Sequence, residues 1–325
     1  MSIKIIKPGM FTTIQDLGRV GFRSAGIGPG GAMDFFAATV ANFLVGNDEK
    51  AAVVEMHFPA VEIIFEETAL ISITGGDFST HLNDQAVPLW QPFFIKPNDR
   101  LLFKRYIKGA RAYLAIHGGI KADNWLNCFS THTKVKSGGF KGRALLKEDI
   151  LLFNKKITWF SFKNFPDFAG LVGSAYQPAN TIRCIAGAEW EWLNELSQTN
   201  FSDSNFVVTA HSDRMGFRLQ GTNLSLQQPV ELISSPVDMG TIQLLPNGQL
   251  IVLMADHQTT GGYPRVANVI SADLPKLAQS PIHSQIQFKM ITPENAEDAL
   301  FSFHQILGSI KNSCNNFYDA HRPQL

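Results

Sequence analysis

The stretch QLIVLMADHQTTGGYP, residues 249–264, carries a strongly apolar run straight into a turn of polar residues and two glycines. A short apolar run bounded by turn formers reads as a strand buried in a β core. Asp256 and His257 stand at its end, and Gln258, Thr259 and Thr260 add neutral hydrogen-bonding groups. Gly261 and Gly262 then allow close backbone approach before Tyr263. Such a turn can present polar side chains to a substrate at the rim of a barrel, or tie them into a structural hydrogen-bond knot.

The same punctuation recurs in both directions. Toward the C-terminus and just before this stretch lie TIRCIAG (181–187), NFVVTA (205–210), PVELISS (229–235), GTIQLL (240–245) and SQIQFKMI (284–291). Toward the N-terminus lie VEIIF (61–65), ALISITGG (69–76), FFIKPND (93–99), RLLFKRY (100–106) and ARAYLAIHGG (110–119). Strands this short do not bury both faces alone, so the pattern predicts barrels or paired sheets closed around a core. The fold class is α+β and predominantly β. No alternating series of helices accompanies the strands, which argues against a doubly wound parallel sheet.

Three helices are expected. One starts at Asp34, an N-cap, and ends near Gly46; AEWEWLNEL (188–196) is a short one; the last starts at Thr292 and Pro293 and stops at Gly308. At 325 residues, two domains are favoured over one. The aperiodic stretch 154–181 holds the expected boundary, giving residues 1–175, 176–310 and a flexible tail 311–325.

With 28 basic and 28 acidic residues the chain offers no general attraction to nucleic acid or to an anionic membrane. No apolar run approaches membrane-spanning length, and the N-terminus lacks a signal-peptide pattern, so a cytoplasmic location is expected. Three scattered cysteines make neither a disulfide framework nor a zinc site, and no metal is expected. Phosphate-loop, zinc-helix and nucleophile-elbow motifs are absent.

Polar residues nevertheless gather among glycines. TTIQDLGRVG (12–21) supplies Gln15, Asp16 and Arg19; Asp16 can orient the Arg19 fork toward a carboxylate or phosphate, or merely form a local ion pair. PGGAMD (29–34) brings Gly30, Gly31 and Asp34 to a helix entrance, where free N–H groups suit an anion and equally suit ordinary capping. HSDRMGFRL (211–219) concentrates His211, Asp213, Arg214 and Arg218: a proton carrier beside an oxyanion holder, or a salt-bridged turn. His211, Asp213, Asp256 and His257 are the candidate catalytic groups. The candidate binding groups are Gln15, Asp16, Arg19, Gly30, Gly31, Asp34, Arg214, Arg218, Gln258, Thr259, Thr260, Gly261, Gly262 and Tyr263.

Taken in order, TTIQDLGRVG, GPGGAMD, ANFLVGN, YLAIHGGI, FSTHTKVKSGGFKGRAL, HSDRMGFRL and DHQTTGGYP resemble the biotin-dependent carboxyltransferase-like family over residues 8–292. The resemblance implies two cyclophilin-like β-barrel domains with short peripheral helices. It also implies one member of an ATP-dependent, multichain 5-oxoprolinase that opens 5-oxo-L-proline to L-glutamate, acting with a homologous B-type 5-oxoprolinase protein and a separate A-type protein. No cofactor would be held covalently, and ATP would be used by the assembled complex. Family alternatives are a component that moves a carboxyl group from carboxybiotin, supplied by another chain, to urea or a related amide, and a noncatalytic regulator of a B-type partner. One departure stands out: Asn127, Cys128, Phe129, Ser130 and Thr131 replace the family's Gly-Ser-Arg-Ser-Thr phrase, so an arginine is lost at Phe129.

Overall fold

Strands of two to nine residues satisfy their backbone groups only by pairing, and the way they pair divides the chain. A computed structural model describes residues 1–154, 165–173 and 180–321. Two units result: Met1–Gly18, Asp34–Gln177 and Gln305–Leu325 make one, Arg19–Met33 and Pro178–His304 the other. The expected boundary at 175/176 lies outside the described residues.

The first unit is a pair of antiparallel sheets. One runs Ile150–Leu152, Ser2–Lys7, Glu62–Phe65, Arg100–Phe103, Thr80–Leu82, Gln85–Ala86; the other runs Thr12–Gln15, Val53–Met56, Lys108–Ile116, Ala69–Asp77, Pro92–Ile95. Alternate residues of each, among them Ile3, Ile5 and Ile63 against Ile14, Val54 and Leu114, form its core. The predominantly β fold is as expected, and of the two expected barrels one is seen closed among the described residues. Among the described residues no ladder joins an edge of one sheet to an edge of the other, and only the second unit closes on itself.

Helix Phe35–Leu44 covers the other face of the second sheet and is buried on nearly every side. Asp34 caps it as expected, its Oδ1 accepting from the Ala37 N–H at 2.9 Å. Ser72 and Thr74 point from the sheet and donate to the Ala41 and Ala37 carbonyls, both at 2.7 Å, so the polar side chains under the helix are satisfied.

The second unit holds a closed seven-stranded barrel: Thr181–Ala186, Arg265–Val269, Thr241–Leu244, Leu250–Leu253, Gly216–Gln220, Asn205–Val208, Gln285–Met290. Its seam is one parallel pairing, Thr181↔Gln287 through Cys184↔Met290. Beside the seam, Asp273 is wholly buried and accepts from Arg183 Nε and Nη2 at 2.9 and 2.7 Å, and from the Arg183 N–H at 2.9 Å. Lys276 Nζ adds a contact at 2.7 Å. Burial pushes this carboxyl up, but the donated hydrogen bonds of Arg183 and Lys276 outweigh it and hold Asp273 below its ordinary range.

Three local expectations need correction. PVELISS pairs only at Ser235–Pro236, because Val230 and Ile233 are exposed and have no core to alternate against. The expected helix at 188–196 is a single 3-10 turn, Trp190–Trp192, and the α-helix begins later, at Glu195–Asp203, with Asn194 as its cap. The last helix passes Gly308 and runs Pro293–Ala320. An internal glycine costs about 1 kcal/mol, less than is gained by burying Ile310, Cys314 and Tyr318 beyond it. Residues 311–320 are thus no flexible tail, and 322–325 lie outside the described residues.

Tyr318 shows the anchoring most directly: its hydroxyl donates to the Leu44 carbonyl at 2.5 Å and its ring lies against Gly46. Tyr318→Phe is expected to cost about 1 kcal/mol and Tyr318→Ala about 3–5 kcal/mol. Urea unfolding of the two variants measures this directly, and equal stabilities would show that the helix end is not anchored there.

Candidate functional site

Arg19, the glycines of 28–31, the turn at 211–216 and the turn at 255–263 come together in the second unit, and one side chain organises them. The turn after strand Asn205–Val208 is shaped by Asp213, whose Oδ1 accepts from the Met215 and Gly216 N–H groups at 2.8 and 3.2 Å. The turn delivers Arg214, almost fully buried, to the end of strand Leu250–Leu253. There its Nε and Nη2 meet Asp256 Oδ2 and Oδ1 at 2.8 and 2.9 Å, a bidentate fork. Nη2 also donates to the Gly31 carbonyl at 2.6 Å, which ties in the glycine-rich segment.

That segment lies close because it has no side chains to hold it away. A Cβ at Gly28 would sit 2.7 Å from the His257 carbonyl oxygen. One at Gly30, where φ is +63°, would sit 2.7 Å from Arg19 Nη1 and 3.7 Å from Asp256 Oδ1. The Arg19 N–H closes the loop on the Pro29 carbonyl at 2.7 Å. Arg19, Gly30, Gly31, Arg214 and Asp256 are therefore neighbours, as a shared site requires.

His257 faces inward beside them, with its side chain wholly shielded. Its Nδ1 donates to the Gln258 carbonyl at 2.6 Å, leaving Nε2 as the lone-pair nitrogen 3.8 Å from Asp238. Arg23 holds the opposite oxygen of Asp238 at 2.8 Å. Burial lowers the His257 pKa below its ordinary value, more than the Gln258 carbonyl and the Asp238 charge raise it.

The remaining candidates face an open cleft of about 430 Å³ on the outer wall of the barrel, lined by His211, Asp213, Arg218, Gln243, Gln258 and Tyr263 among others. The ladders explain the convergence: Arg218 pairs with Ile251, which pairs with Gln243, so these three strands meet beneath it. Gly261 lies close against Gln243: a Cβ at that position would lie 2.6 Å from Gln243 Nε2 and would push the amide aside. Thr260 and Gly261 form a two-residue ladder with Pro236 and Ser235, and the Thr259 carbonyl accepts from the Val237 N–H at 3.2 Å. Gly262 follows in the same turn, near Ser234.

Gln15, Asp16 and Asp34 belong to the first unit. Gln15 is buried and donates to the Thr13 hydroxyl at 2.9 Å. The Asp16 carboxylate accepts from the Gly18 N–H at 2.9 Å, Cys128 Sγ at 3.0 Å, the Phe129 N–H at 2.6 Å and the Ser130 hydroxyl. Burial first, and then the charge of Asp16, push the Cys128 thiol up to about 11. Phe129, in the place of the family arginine, packs against the hydrophobic core of this unit. Asp34, besides its cap, gives its N–H to Tyr113 Oη at 2.8 Å, and Tyr113 donates to Glu55 at 2.7 Å.

Sequence reading missed Gln243, Arg23, Asp238, Glu55 and Tyr113. Gln243 and Glu55 carried a usable signal, since each is a polar residue flanked on both sides by apolar ones in a buried strand. Among the described residues no three His, Cys, Asp or Glu side chains gather to hold a metal ion, and no helix is long and apolar enough to cross a membrane.

Both the barrel loops and the glycine segment held by Arg214 fall within residues 25–290, the span matched by the family described as carboxyltransferase domain, subdomain A and B, and the chain belongs to that family. Among individual proteins it is 38% identical to the C subunit of 5-oxoprolinase from Escherichia coli K12 over 314 residues, 95% of this chain and 99% of that one. It is 35% identical to the protein of the same name from Haemophilus influenzae over 285 residues, 87% and 89% of the two chains. The crystal structure of the Kluyveromyces lactis urea amidolyase superimposes with a TM-score of 0.87 at 26% identity, covering 95% of this chain and 20% of that much longer one.

Two measurements check the architecture. Asp256→Ala leaves the Arg214 charge buried without its partner and is expected to cost about 3 kcal/mol, whereas Arg214→Met with Asp256→Leu should recover most of it. A double-mutant cycle in urea that shows no coupling would refute the pairing. For His257, a folded pKa below 6.5 means that the unfolded chain binds the proton more readily. Its contribution to stability is complete above about pH 6.5 and is lost as pH falls through the lower folded value, so His257→Gln should flatten the stability profile between pH 7 and 5.

Proposed function

We propose that this chain is the C component of a cytoplasmic, ATP-dependent 5-oxoprolinase that opens 5-oxo-L-proline to L-glutamate together with a homologous B-type protein and a separate A-type protein. The observation that carries the reading is identity with two 5-oxoprolinase components of that kind, end to end in the E. coli protein. The match to urea amidolyase is weaker and covers only a fifth of that chain.

Opening a lactam requires three things: stabilising the charge that develops on the amide oxygen, adding water to the carbonyl carbon, and giving the leaving nitrogen a proton. The outer cleft offers groups suited to each. Arg218 is a permanent cation, Gln243 and Gln258 present amide groups that can orient a ring amide, and exposed His211 can carry a proton. Asp213, with Oδ1 accepting from the Met215 and Gly216 N–H groups, shapes the turn on which His211 and Arg214 lie, and the Arg214–Asp256 fork ties that turn to the end of strand Leu250–Leu253. ATP supplies the driving force when the complex is assembled. This chain carries no phosphate-loop motif of its own, so phosphoryl transfer falls to the complex.

One observation favours a second reading, a regulatory component without its own chemistry. The cation that the family places at position 129 is replaced by a phenylalanine packed against the core.

Reconstitution with the B- and A-type proteins separates the two. ATP-dependent glutamate should form only when all chains are present, and His211→Gln should lower kcat about a hundredfold or more while the complex stays assembled. Glutamate formation that survives His211→Gln unchanged would assign the chemistry to the partners. No glutamate from a folded, complete complex would overturn the proposal.

A further inference from the structure

A second cleft, of about 730 Å³, opens on the same outer wall and shares Arg218 and His211 with the first. Its other lining residues include Thr209, Gln220, Gln249 and His283, and none of the residues lining it is acidic. The strand ladders assemble these groups from separate parts of the chain. The Thr209 N–H donates to the Arg218 carbonyl at 2.9 Å, and the His283 N–H donates to the Val208 carbonyl at 2.7 Å, so Thr209 lies between the arginine and the histidine. Val207 and Gln220 face each other one step along the same ladder.

Two observations indicate that the groups await a ligand. Among the described residues the Arg218 guanidinium forms no ion pair or side-chain hydrogen bond, although three other arginines of this unit are forked onto a carboxylate: Arg183 onto Asp273, Arg214 onto Asp256, Arg265 onto Glu189. The Thr209 hydroxyl is buried and has no hydrogen-bond partner. An unmatched hydroxyl in a polar wall carries a cost unless something donates to it or accepts from it.

We propose that this cleft binds the phosphate group of a small ligand. A guanidinium offers a planar fork, two imidazoles and two amides offer N–H donors from other directions, and the threonine offers an O–H. Donors converging from four segments suit a tetrahedral oxyanion with several acceptor oxygens better than a planar carboxylate, which one fork would satisfy. The inference does not rest on the 5-oxoproline reading: it concerns this chain alone and is tested without turnover.

The full chain is titrated calorimetrically with ATP and, separately, with inorganic phosphate at matched ionic strength. Saturable binding of at least one is expected. Tight binding of ATP with weak binding of phosphate identifies a nucleotide as the source, and equal affinities identify free phosphate. Arg218→Gln should weaken binding at least tenfold and His283→Gln several-fold, whereas Lys289→Gln, exposed on strand Gln285–Met290 and outside both clefts, should leave it unchanged. Thermal unfolding confirms that each variant is folded; should one fail, the other still decides. No saturable binding of either probe, or loss equal in Lys289→Gln, overturns the proposal. A complex that makes no glutamate while the chain still binds ATP through Arg218 would defeat the 5-oxoproline reading and leave this one standing.

Discussion

A barrel is free of edges only if its first and last strands meet, and here they meet in parallel, so no hairpin can set their register. The seam between Thr181–Ala186 and Gln285–Met290 joins residues about a hundred positions apart. Bringing them together carries the largest loop-closure cost among the strand pairings of the barrel. Asp273 is placed to secure it: a wholly buried carboxylate grips both the backbone N–H and the guanidinium of Arg183 on the seam strand. A charge with no water around it is stable only with such partners, and that need turns Asp273 into a clamp on register. Everything on the outer wall inherits its position from this closure.

The loops then depend on a second constraint, the space a side chain would take. Gly28, Gly30 and Gly261 each stand where a single added carbon would meet a carbonyl, a guanidinium or an amide at under 3 Å. The Arg214–Asp256 fork supplies attraction, but only the missing side chains let residues 28–31 come within its reach. Attraction and absence act together here.

Much of this was legible in the sequence. The strands at 205–210, 240–245 and 249–256 declared themselves by apolar runs between turn formers, and the polar, glycine-bearing turns after them marked the loops that do converge. Other features were hidden for physical reasons. Strands Ser2–Lys7 and Thr12–Gln15 are short and mix polar with apolar residues, so neither shows a clean apolar run. PVELISS has strand composition but lies where no core faces it. Gly308 reads as a stop, and the contacts that carry the helix past it lie at Leu44 and Gly46, far away in sequence. Whether paired sheets close into a barrel is decided by edge pairing, which local pattern does not encode.

The cysteine within the loop at 127–131 has a bearing on the thiol chemistry of the first unit. Its thiol is shielded, hydrogen-bonded to Asp16 and pushed up to about 11, so almost none of it is thiolate at neutral pH. Peroxide and electrophiles react with thiolates, and this one is withheld from them. A loop that carries a buried, protonated cysteine at its heart thus presents little nucleophilic sulfur at neutral pH.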